Sequence, residues 1–196
     1  AERVKNYMNY QITYEMEEYD PELDQMLFYL PIVGSAFKKV YLDPSLQRAV
    51  SKFVHSEDLI VPYNATDLAT ATRITHCIRM DKNEIRKLQL AGFYIDIDLP
   101  TSGADSDTMN DVRDAINEIE GISGNSTQNE DMTIYEVHTN LDIEGFEDIG
   151  ADGEPTGLKM PYIVTIMEDT GDVLSIKRNF NESDPLRRKI PYFGHY

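Results

Sequence analysis

The stretch Asp20-Pro21-Glu22-Leu23-Asp24-Gln25-Met26-Leu27-Phe28-Tyr29-Leu30-Pro31-Ile32-Val33-Gly34-Ser35-Ala36-Phe37-Lys38-Lys39-Val40-Tyr41-Leu42 changes period part-way along. Leu23, Met26, Leu27 and Leu30 recur at helical spacing behind an Asp that can cap and a Pro suited to the first helical position, so a helix is predicted from Asp20. Pro31 and Gly34 are expected to kink or end it. Beyond them Phe37, Lys39 and Tyr41 alternate with Lys38, Val40 and Leu42, the two-residue period of a strand. Asp43-Pro44-Ser45 then reads as a turn. Residues 48 to 55 return as a second strand, with Val50 and Val54 set against Ser51, Phe53 and His55. The small residues Gly34-Ser35-Ala36 are expected to let the helix end lie close to the sheet.

Working outward, residues 1 to 19 read as a further helix, with Tyr7, Tyr10 and Tyr14 along one line. Residues 72 to 80 read as a strand, and Asp81 with Glu84 forms a capping-box pattern that opens a helix ending before Gly92. A helix is predicted from Thr108 to Glu120 on the stripe Val112, Ala115, Ile116, Ile119, with Gly121 as its end, and residues 121 to 131 read as loop. Strands are predicted at 132 to 143, 158 to 168 and 173 to 180, the last two joined as a hairpin across Thr170-Gly171-Asp172. Helices bracketing antiparallel strands and hairpins give an α+β class, taken as one domain over 1–196.

A length of 196 residues suffices for a real core, and 41% apolar with 27% charged residues is an ordinary globular composition. The charge is not ordinary. Against 18 basic residues stand 35 acidic ones, a net charge of -17, and the tract 96–172 alone holds 20 acidic and 2 basic residues. That tract reads as an acidic lobe of the domain. Such a surface repels phosphate backbones and anionic lipid, which excludes a bulk nucleic-acid binder and a membrane-surface binder. No apolar run reaches the roughly 18 residues of a membrane span, and a soluble chain is expected. A single cysteine, Cys77, forbids an intrachain disulfide and a cysteine-rich zinc site, and fits a reducing compartment.

Catalytic chemistry finds no foothold. His76 and Cys77 are adjacent on a predicted strand, so their side chains leave on opposite faces and cannot form a nucleophile and base pair. His55, His76, His138 and His195 show no helical ligand spacing. Asp148, Asp152 and Gly153 mimic part of a calcium loop, but Gly150 and Lys159 occupy two of its ligand positions. Asp105 and Asp107 fail at Met109 in the same way. Asp111, Asp114 and Glu118 oppose the apolar stripe of their helix and read as solvated. Gly121-Ile122-Ser123-Gly124 lacks the lysine of a phosphate loop. Lys82, Arg86 and Lys87 form one basic helical face that suits phosphate or an acidic neighbour, or simply solvent. No catalytic, cofactor or metal residue is therefore assigned.

The segments Tyr19-Asp20-Pro21-Glu22-Leu23, Met26 to Pro31, Gly34 to Tyr41 and Asp43-Pro44, taken in order, resemble the portal, or head-to-tail connector, proteins of tailed double-stranded DNA bacteriophages. The large portal type of short-tailed phages is the nearest branch. Glu57 to Tyr63, Ala65 to Leu68, Thr75-His76, Asn83 to Gln89, Gly92-Phe93-Tyr94, Gly145 to Asp148, Asp152 to Leu158, Pro161 to Ile166 and Pro191-Tyr192-Phe193 extend the likeness over nearly the whole chain.

The resemblance implies a non-enzymatic subunit of a dodecameric ring at one capsid vertex, in the virion and assembled in the bacterial cytoplasm. DNA passes through such a ring during packaging and ejection without sequence-specific binding. Its partners are the other portal subunits and, through the intact protein, capsid and scaffolding proteins, terminase and tail adaptors. The chain is expected to be an excised wing region, with no cofactor and no membrane contact. In isolation it is expected to be monomeric or weakly associated, with the aromatic end Tyr192 to Tyr196 exposed. The competing readings are an acidic calcium-dependent binding module built on 96–172 and an undetected hydrolase.

Overall fold

The computed structural model describes residues 1–43, 46–99, 131–149, 153–184 and 186–195. Among the described residues three α-helices and eight strands follow one another: α1 (Glu2–Tyr10), α2 (Tyr19–Val33), β1 (Phe37–Asp43), β2 (Arg48–Val54), β3 (Leu59–Ile60), β4 (Arg73–Asp81), α3 (Lys82–Leu90), β5 (Asp131–Leu141), β6 (Met160–Met167), β7 (Val173–Arg178) and β8 (Phe193–His195). The α+β class is as expected. The predicted helix at 108–120 and the loop at 121–131 lie outside the described residues, apart from the first residue of β5.

Two compact units divide the chain, one built from 1–77, 137–163 and 177–196, the other from 78–136 and 164–176. The acidic tract 96–172 therefore does not coincide with either unit. Among the described residues β2, β1 and β8 form one sheet in that order, and β3 to β7 form a second whose spatial order repeats the chain order. Such a meander needs only short connections or inserted helices.

The first unit holds the helix-to-strand junction. α1 continues into a single π-helical turn at Gln11–Glu15, and the chain resets at Met16 before α2 begins. Asp20 is not the cap. The helix opens one residue earlier, with Glu18 preceding it and no side-chain cap bond, so Asp20 and Pro21 occupy its first turn, where an absent N–H is tolerated. Pro31 does not stop the helix either. Gly34 does, at φ 84° with its N–H donating to the Leu30 carbonyl at 2.9 Å, a left-handed end.

β1 pairs antiparallel with β2 from Phe37↔Val54 to Asp43↔Arg48, as the alternation predicts. Its other edge pairs with β8, Phe37 opposite His195 and Lys39 opposite Phe193, an element the sequence reading missed. Tyr192 and Phe193 are consequently half-buried, which corrects the expected exposure of these two rings, while His195 is exposed and Tyr196 lies outside the described residues. Val54, Leu59, Ala71 and Ile74 form this unit's core, flanked by Phe37, Val61, Leu68 and Phe193.

The expected crowding at Gly34 is not found, because a Cβ there meets nothing within 4 Å. The left-handed backbone carries the requirement instead. Gly34→Val should cost at least about 1 kcal/mol, since a β-branched side chain at positive φ is strained, while Gly34→Asn should cost less. Denaturant melts check this ranking, and an unchanged midpoint for the valine variant contradicts it.

In the second unit α3 presents Ile85, Leu88 and Gln89 at helical spacing toward the interior. Asp81 stands at the N-cap as predicted but makes no side-chain cap bond. The helix ends in a Schellman arrangement: Gly92 (φ 77°) donates to Gln89 O and Phe93 to Leu88 O, both at 2.9 Å. Gln89 is buried and satisfied, its Nε2 donating to Ile95 O (3.2 Å) and Ile97 O (3.0 Å) while Arg86 donates to its Oε1 (3.0 Å). Those bonds bring the returning chain to β7, where the Ile95 N–H donates to Leu174 O at 2.7 Å. Ile85, Met132, Ile134, Met167 and Leu174 are the core beneath. The predicted hairpin turns at Gly171 (φ 73°), and the Met167 N–H donates to Asp172 O at 2.9 Å. Across it the Ser175 hydroxyl bonds Thr165 Oγ1 at 3.0 Å.

Candidate functional site

β1 and β2 hold α2 by one face only. Glu18 meets Arg48 in a two-pronged ion pair, both bonds at 2.8 Å, and the Phe53 N–H donates to Glu22 Oε2 at 2.6 Å. Tyr29 packs on Phe53 (5.8 Å) and edge-on to His55 (4.7 Å). Lys38, buried on β1, places its ammonium 4.1 Å from the centre of the Tyr19 ring. Burial pushes that ammonium below its ordinary pKa, and the Glu22 carboxylate opposes the shift. Met26, 4% exposed, completes the inner line.

The outer face of α2 is apolar and uncovered. Phe28 and Ile32 are each 69% exposed, one turn apart, with Leu27 and Val33 beside them. α1 buries no residue at all, and Val4, Tyr7, Met8, Tyr10 and Tyr14 stand in solvent, Tyr10 stacked on Tyr14 at 5.5 Å. Val40 and Leu42, on the same strand face as Lys38, are exposed as well. A nine-residue helix that buries none of its residues is marginal in water, because its nucleation cost is little recovered. Exposed apolar faces of this extent mark surfaces that meet another protein. Sequence reading identified the helices and their apolar and tyrosine lines but did not say what covers them.

The Glu18–Arg48 pair sets a pH response. The Arg48 hydrogen bond, opposed by partial burial, holds the Glu18 carboxyl below the usual glutamate value. A depressed carboxylate contributes stability that is full above the unfolded pKa of about 4.3 and lost as pH falls through the lower folded value. The stability difference between wild type and Arg48→Met should therefore shrink between about pH 6 and about pH 3. Equal differences at both pH values, measured by urea titration, contradict this account.

The residues weighed for chemistry are placed as follows. His76 faces the Phe193 ring (5.7 Å), and His138 meets the same ring (5.2 Å) and Tyr192 (5.3 Å). His195 packs on Phe37 at 5.2 Å and His55 on Phe53 at 4.5 Å. The histidines are thus aromatic packing partners, and His76 and His138 converge on β8 although 62 positions separate them in the chain. Cys77 is half-buried on β4 and forms no disulfide. Among the described residues no group of three or more His, Cys, Asp or Glu is placed to hold a metal ion. Asp148 is committed elsewhere, accepting from Thr156 Oγ1 at 3.2 Å and pairing with Arg187 at 3.4 Å. Gly150, Asp152, Asp105, Asp107, Met109, Asp111, Asp114, Glu118 and the run 121–124 lie outside the described residues. On the basic face of α3, Arg86 pairs with Asp96. No described helix is long and apolar enough to cross a membrane.

No family model matches the sequence, and no curated protein matches it.

Proposed function

We propose that this chain is a structural, non-catalytic subunit of a phage portal ring, which assembles with copies of itself at a capsid vertex and surrounds the DNA path. The observation that carries the reading is the uncovered apolar face of α1 and α2, with Phe28 and Ile32 at its centre. Evolution rarely leaves aromatic and branched side chains in solvent at this density unless a protein surface covers them. The ordered resemblance of the sequence to portal proteins supplies the occupant, another copy of the same chain. In a ring each subunit offers one face to a different face of the next, so the face need not be self-complementary. The acidic composition supports the conduit role, because like charge keeps duplex DNA from adhering.

The alternative, a calcium-dependent binding module on 96–172, rests on the acidic tract alone. Calorimetric titration with calcium separates the two: the portal reading expects no saturable heat, and stoichiometric binding overturns it in favour of the module. Sequencing the genes flanking the coding region is the second test, and a terminase large-subunit gene is expected beside it.

A further inference from the structure

Within the first unit, residues 69–72, β5, the segment entering β6, Asn179 and residues 186–189 line a cavity of about 330 Å³, at the lower end of the range for small-molecule sites. We propose that this cavity binds a phosphate group, free or carried on a small molecule, through Lys159, Arg187 and Lys189. The inference stands apart from the assembly reading, since none of these residues belongs to the α1–α2 face.

The lining is the opposite of the chain as a whole. Among the described residues that line the cavity three are basic and none is acidic, in a protein of net charge -17. Each cation arrives by a specific local structure. Lys189 spends two N–H groups on Leu68 O (2.9 Å) and Ala71 O (3.0 Å), and an ammonium carries three. Burial lowers its pKa and the nearby Asp67 carboxylate only partly opposes this, so an arriving anion would relieve an under-compensated charge.

Arg187 adopts φ 47°, a conformation that a non-glycine residue holds at a cost and that recurs at ligand sites. Its guanidinium is held by Asp148 Oδ1 at 3.4 Å and by the Glu182 carbonyl, 5.8 Å from the Phe180 ring centre. A guanidinium has five donors, so these contacts orient the fork without exhausting it. Lys159, exposed, also lines the cavity.

Asn179 calls for a hydrogen-bond donor, which the P–OH of a monohydrogen phosphate or a hydroxyl on the molecule carrying the phosphate would supply. It lines the cavity at 2% exposure, and its Oδ1 has no hydrogen-bond partner among the described residues. A buried polar atom left unpaired is costly, and native structures seldom tolerate one without a functional reason. Three cations set at separate positions suit the three terminal oxygens of a phosphate better than the two of a carboxylate. Ile74 and Leu158 line the remainder, leaving an apolar wall for whatever carries the phosphate.

The test is isothermal titration calorimetry of the whole chain at low salt with inorganic phosphate, adenosine 5′-monophosphate and adenosine. One-to-one saturable binding of phosphate or of the monophosphate, with adenosine at least about tenfold weaker, is expected. Tighter binding of the monophosphate identifies a carried phosphate, and equal binding identifies the free ion. Lys159→Gln, at an exposed position, should leave the melting curve unchanged and weaken binding about tenfold, and Arg187→Gln should weaken it similarly. The proposal is overturned if neither phosphate species saturates up to about 1 mM, if adenosine binds as tightly as its monophosphate, or if both variants retain full affinity.

Discussion

Ile134→Ala is expected to lower the unfolding free energy by about 3 kcal/mol, the largest effect of any single truncation considered for this chain. Ile134 is 0% exposed on β5 and shares its cluster with Ile85, Met132, Met167 and Leu174. Removing three carbons there forfeits the transfer free energy of the side chain and leaves a void bounded by one helix and three strands, which cannot close without shifting the sheet. A loss of that size is a large fraction of the roughly 5 to 15 kcal/mol that holds a domain together. Leu90→Ala, on α3 of the same unit but 76% exposed, should change stability by less than about 0.5 kcal/mol. Urea titration of both variants makes the comparison, and equal costs contradict the assigned core.

The second large effect concerns assembly rather than folding. Phe28→Glu combined with Ile32→Glu should leave the melting midpoint of the isolated chain nearly unchanged, because both side chains stand in solvent and Glu is a good helix former. If the chain assembles into a ring as proposed, the same pair should reduce closed rings to less than about a tenth of the wild-type yield, since two carboxylates would be carried into an apolar contact. Met26→Glu, on the buried inner line of α2, should instead unfold the helix from its sheet. Native ring yield for the double variant equal to that of wild type would remove the α2 face from the interface.

Local signals in the sequence carried most of the fold. The period change around Gly34, the turn residues at Gly92 and Gly171 and the alternation in β1, β2 and β4 act within a few residues, and each element formed where they placed it. What escaped is long-range. β8 exists only because Phe37 to Lys39 offer it an edge more than 150 positions away, and no periodicity in three residues announces such a pairing. Two-residue β3 escaped for the same reason.

The burial of Lys38 is equally non-local, arising from Tyr19 and Glu22 on a helix that the strand pattern cannot see. Asp20 misled because a capping residue type and the actual helix start differ by one turn position when Glu18 already begins the helical backbone. The candidate surface was legible as amphipathic helices, but whether an apolar line faces a core or a partner depends on what packs against it. The cationic cavity was not legible at all. Lys159, Arg187 and Lys189 are scattered over 31 positions and meet only through the loop that follows β7.

Self-assembly is the central proposal, and native mass spectrometry of the protein tests it most directly. On the proposed portal reading a single closed assembly of twelve copies is expected, insensitive to calcium chelation and lost in the Phe28→Glu/Ile32→Glu variant. A product that stays monomeric across the concentrations at which wild-type rings are expected, or one that oligomerises only when calcium is added, would contradict it.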